Sequence, residues 1–149
     1  MSKSTDVFDA MILRLESVLP THSRLRNPYE IEENNTLFLK KGFGLAIGQG
    51  NGPNTALSKQ IEIERIFQVV LTRKAYAKES DSTGKASAEK SLLEDLFLVI
   101  QEFETNTTIN STASMAQYES DGGIEFVETE TEGFIVIRAD ILVKYQESL

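Results

Sequence analysis

At 149 residues the chain has the length of one domain with room for mobile loops, and a domain of that size buries roughly 68–70% of its unfolded surface, enough for a sizeable core. Hydrophobic residues make up 40% and charged residues 26%, a globular composition that excludes wholesale disorder; 15 basic against 23 acidic residues leave a net charge of −8, which argues against a dedicated nucleic-acid binder. The absence of cysteine excludes disulfides, thiolate zinc sites, iron–sulfur clusters and cysteine nucleophiles.

The first element is a helix. Val7, Phe8, Met11, Ile12, Leu15, Val18 and Leu19 form one stripe of period 3.6, with Ser4 or Thr5 as cap and Pro20 as stop. Asp6, Asp9, Arg14 and Glu16 interrupt its apolar residues, so it is not a signal peptide. No 18-residue stretch anywhere is free of charge, so no transmembrane helix is expected. The chain is expected to work inside a cell, or in an assembly made there.

Residues 20–36 read as a connector holding His22, Arg24, Arg26 and Pro28. Leu37 to Gly48 reads as extended, with Leu37, Leu39, Phe43, Leu45 and Ile47 on one side; Gly42 and Gly44 mark a bulge or a close backbone approach. Residues 49–54 have turn composition. Ile61 to Ala77 is the clearest strand, apolar on its odd face and mixed on its even face. Loops are expected at 78–87 and 106–123, with a helix between them carried by Leu92, Leu93, Leu96, Phe97, Ile100 and Phe103. The end of the chain reads as a hairpin: Ile124 to Thr129, a turn at Glu130–Gly133, and Phe134 to Tyr145. The sum is one α+β domain over residues 1–149, a mostly antiparallel sheet of two hairpins flanked by two helices in the order α-β-β-α-β-β, with mobile loops at 20–36, 78–87 and 106–123.

Little in the chain points to catalysis. His22 is the only histidine and reads as a solvated loop residue. Gly42, Gly44 and Gly48 miss the dinucleotide fingerprint by one residue, and no helix follows them to hold an anion. Glu128, Glu130 and Glu132, like Glu62 and Glu64, read as solvated carboxylates, and the Glu119–Gly122 stretch lacks the downstream ligands of a calcium loop. No catalytic, cofactor or metal site is expected, and the chain is not expected to be an enzyme.

What stands out is a second apolar face. Ile66, Val70 and Tyr76 lie opposite the main apolar face of the long strand, and Val136 and Leu142 do the same near the C-terminus. Either the chain's own segments cover this face, or a neighbouring subunit packs on it. On the second alternative these five residues are the candidate subunit or partner interface.

The order of elements resembles the tail terminator proteins of long-tailed bacteriophages, also called tail completion or head–tail joining proteins. The resemblance rests on the amphipathic helix Val7 to Leu19, the Asn/Pro/Glu connector and the glycine-broken strand Phe38 to Gly48. It continues through the long strand Ile66 to Lys74, one helix, Gly123 to Val127, and Phe134 to Tyr145. It implies a structural virion protein of the tail or neck, made in the host cytoplasm. Such a protein forms a homohexameric ring on the last ring of the tail tube, stops its polymerisation and joins it to the head connector or stopper protein. DNA passes through without specific binding, and neither a cofactor nor a membrane is involved. Two alternatives stay open: another neck or head-completion component, and a small cytoplasmic α+β binding or adaptor module.

Overall fold

The computed structural model describes residues 3–52, 60–76, 82–106, 109, 115–128 and 132–148. The elements are α1 (Lys3–Val18), β1 (Ser23–Arg24), a 3-10 turn (Ile31–Glu33), α2 (Thr36–Leu39), β2 (Lys41–Asn51), β3 (Gln60–Tyr76), α3 (Ser82–Thr105), β4 (Met115–Glu128) and β5 (Gly133–Ser148). The strands form one sheet in the order β1-β2-β3-β5-β4. β1 runs parallel to β2, and every other pairing is antiparallel. β3 and β5 share the longest ladder, from Gln60↔Ser148 to Tyr76↔Gly133.

Strict alternation along β3 and β5 creates two faces. The odd positions, Phe67, Val69 and Leu71 with Ile135, Ile137, Ala139, Ile141, Val143 and Tyr145, are buried beneath α1 and α3. Val7, Met11 and Leu15 of α1 and Leu92, Leu96, Val99 and Phe103 of α3 complete that core. On the opposite face a smaller core joins Val70, Phe134 and Val136 to Leu25 and Ile31 of the connector and to Leu39 of α2.

The α+β class stands, with a mixed five-stranded sheet and three helices. The expected arrangement of two hairpins and two helices needs correction. The antiparallel pairs β2–β3 and β4–β5 are joined through β3–β5 into one sheet, and β1 and α2 are elements that the expected order α-β-β-α-β-β lacks. The connector at 20–36 contributes β1 and the 3-10 turn to the fold. Leu37 and Leu39 belong to α2, because the Asn35 side chain caps the backbone N–H of Leu37 at 2.9 Å and starts a turn of helix. α3 begins at Ser82 and not near Ser87, and residues 115–123, expected as loop, are the first half of β4. Residues 49–51, expected as turn, continue β2 to Asn51. The parts of the expected loops and turns at 53–54, 78–81, 107–108, 110–114 and 130–131 lie outside the described residues. Gly42 fulfils the expected close approach: a Cβ there would stand 2.5 Å from Thr72 Oγ1 and 2.6 Å from the Phe38 carbonyl oxygen.

Three polar ties fix the helices. Glu147, near the end of β5, accepts from the backbone N–H groups of Lys3 and Ser4 and from Ser4 Oγ, so the cap of α1 comes from the far end of the chain. Burial would raise the Glu147 carboxyl, but the bonds from Ser4 and Lys3 outweigh it and hold it below its ordinary value. Arg14 donates to Glu102 Oε1 at 3.1 Å and to the carbonyls of Glu102 and Asn106, joining α1 to the end of α3. Asp95 of α3, 3% exposed, receives Arg73 of β3 bidentately at 2.7 and 2.9 Å. His22 Nε2 stands 3.1 Å from the same carboxylate. Burial would push the Asp95 carboxyl up; the His22 and Arg73 contacts prevail and hold it below the usual range.

Candidate interaction surfaces

The strand alternation places four of the five sequence-predicted interface residues on the second face, but in two different settings. Val70 and Val136 are fully buried in the small core, covered by the chain's own connector. Ile66 and Leu142 are direct cross-strand partners and only half-buried. Around them Gln68 donates to Asp140 at 3.0 Å, Lys144 pairs with Glu64 at 3.2 Å and Arg138 with Glu125 at 3.0 Å. This lower half is a mutually satisfied polar face with a small apolar centre. The side chain of Tyr76 lies outside the described residues.

The large exposed apolar side chains lie elsewhere, mostly at the two lateral ends of the sheet. At the β1–β2 end stand Tyr29, Leu37 and Ile47. Tyr29 also donates structure to that edge, since its hydroxyl accepts the Ile47 backbone N–H at 3.0 Å. At the other end Phe126 of β4 is 46% exposed, and Leu93 and Phe97 of α3 are 52% and 56% exposed. Leu93, Phe97, Ile100 and Glu104 fall on one stripe of α3. Glu104 accepts the backbone N–H of Tyr118 at 2.9 Å, and the Lys85 ammonium stands 4.0 Å from the centre of the Phe126 ring. These two contacts turn the stripe toward β4. Leu13 and Leu98 stand apart from both groups, on the helices.

Sequence reasoning missed both end groups, because Leu93 and Phe97 merge with the buried stripe of α3 when only apolar periodicity is read. The signal available was the width of that stripe: eight large apolar residues between 92 and 103 cover more of the helix than one sheet contact needs.

β4 is a long edge strand of 14 residues. Its first half is bent by register shifts between Tyr118 and Ser120 and between Asp121 and Ile124. Asp121 shapes the bend: it accepts from Tyr118 Oη at 2.6 Å and from the Gly123 N–H at 3.0 Å, where Gly123 takes φ +79°. That hydrogen bond to a carboxylate pushes the Tyr118 phenol up to about 12. The second half, from Ile124 to Glu128, pairs regularly with β5.

Two concavities lie on the helix side at the β1–β2 end. One of about 320 Å³ is lined by Glu16, Leu19, Pro20, His22, Arg24 and Phe43. Another of about 380 Å³ is lined by Ser4, Thr5, Phe8, Ile47, Arg65 and Phe67. Among the described residues no group of His, Asp and Glu is placed to hold a metal ion. No protein-family model matches this chain, and no curated protein matches it.

Proposed function

We propose that this chain is a structural virion protein of the tail-terminator kind, which closes into a homohexameric ring on the end of a phage tail tube, stops tube growth and presents its other side to the head connector or stopper protein. DNA passes through the ring without specific binding, and the chemistry is assembly, not catalysis. The observation that carries this reading is the sorting of exposed apolar side chains to opposite ends of one sheet. A cyclic ring needs two different, complementary patches on each subunit, joined head to tail, whereas a two-fold dimer needs only one self-complementary patch. The Tyr29–Leu37–Ile47 group and the Phe126–Leu93–Phe97 group supply two unlike patches on opposite flanks. The element order that resembles tail terminators points the same way, and the net charge of −8 suits a conduit for DNA, because an excess of negative charge repels phosphates.

The test is assembly. Isolated tail tubes are incubated with the protein and with excess tube subunits, and tube length and end structure are read by negative-stain microscopy. The proposal expects ring-shaped caps and arrested growth. Tubes that elongate unchanged, together with a chain that stays monomeric or forms a two-fold dimer, would instead favour the adaptor module.

A further inference from the structure

The two ends of the sheet are complementary in backbone as well as in side chains. At β4, the Tyr118 N–H points away from β5, toward Glu104. Tyr118, Ile124 and Phe126 oppose Ile141, Ile137 and Ile135, which share one alternation of β5, so the backbone groups of Ile124 and Phe126 also point outward. They have no partner among the described residues. At the other end the Leu25 N–H donates to the Phe43 carbonyl at 2.8 Å, which turns the backbone groups of its neighbour Arg24 outward from β1. The ladders place these edges at one height: Arg24, Phe43, Leu71, Ile137 and Ile124 form a single row across the sheet. β1 and β4 run in opposite directions in that sheet, so copies set side by side in line meet as an antiparallel pair.

We infer that copies of this chain join head to tail by continuing the sheet, the Arg24 edge of one copy pairing with the Ile124–Glu128 edge of the next, while Phe126 and the Leu93–Phe97 flank cover the neighbour's concavity at Leu19, Pro20 and Phe43. Knobs and concavity lie on the helix-bearing side of the sheet and in adjoining rows, so one in-line placement engages both. Strand addition gives the contact its register, and the buried aromatic ring gives it strength. This inference rests on the ring reading and names the contact by which the ring closes.

The chain contains no cysteine, so a cross-link can be placed without background. The double variant Arg24→Cys/Ile124→Cys, whose two positions share one row of the continued sheet and leave the Phe126 ring in place, is oxidised both free and bound to tail-tube ends, beside each single variant. A ladder of covalent multimers ending at the ring, from the double variant only, is the expected result. Leu93→Glu/Phe97→Glu should keep the circular dichroism of the parent and lose at least tenfold in association by light scattering. Rings that form without a ladder, and that tolerate Leu93→Glu/Phe97→Glu, would overturn the contact and leave the ring standing. A covalent dimer from either single variant would overturn it in favour of a two-fold contact, and protein that neither assembles nor caps tubes would overturn the contact and the ring together.

Discussion

The two faces of the sheet are built from the same alternation and meet different fates. The odd face is closed along most of its length by two long helices. The even face is closed only where the connector folds back over Val70, Phe134 and Val136, and its other half, at Ile66 and Leu142, carries a solvated polar network. Alternation therefore tells which side chains share a face, but not what covers them. The cover of the even face comes from a segment whose apolar residues, Leu25, Ile31 and Leu39, follow no regular period.

The largest effect separates the two halves of the even face. Phe134→Ala removes a fully buried ring from the small core and should cost about 3–5 kcal/mol in urea unfolding. Leu142→Ala, on the open half, should cost less than about 1 kcal/mol. Should Leu142→Ala cost as much as Phe134→Ala, something covers the lower half as well. A dependence of that cost on protein concentration would identify a second copy as the cover.

The next effects concern what fastens each cover. Asp95→Asn leaves Arg73 and His22 beside a neutral group and should cost about 3 kcal/mol. Gly42→Ala drives a methyl into Thr72 Oγ1 and the Phe38 carbonyl beneath the connector, and should cost about 1–3 kcal/mol by the same unfolding assay.

A smaller and pH-dependent effect follows from the Asp95 carboxyl. Its folded-state value lies below that of the unfolded chain, about 3.9 for a free aspartate, so on acidification the unfolded state takes up the proton first. The contribution of Asp95 is present above about pH 4 and lost as pH falls through the lowered folded value. The stability gap between parent and Asp95→Asn should therefore narrow below about pH 4, as urea midpoints taken at pH 7, 4 and 2.5 would register.

The principal strands and the two long helices were legible because their apolar residues repeat at periods of 2 and 3.6: β3 and β5 from their odd positions, α1 from Val7 to Leu19, α3 from Leu92 to Phe103. What was hidden depends on distant partners. Residues 115–123 are polar because an edge strand at a sheet's rim needs few apolar contacts, so Gln117, Glu119 and Asp121 looked like loop. The cap of α1 is Glu147, a residue no local pattern connects to Ser4. Of the candidate interface, Val70 and Val136 are occupied by the chain's own connector, while Leu93, Phe97 and Phe126 become visible as a patch only when α3 and β4 stand side by side.

The most direct test of the central claim is the mass of the native assembly, measured by light scattering on a size-exclusion column over a wide concentration range and again after incubation with tail-tube ends. The ring account predicts a six-subunit mass in at least one of these conditions, with ring-shaped particles in the same fractions. A two-fold dimer, or a monomer at every concentration that tube ends leave unchanged, would contradict it.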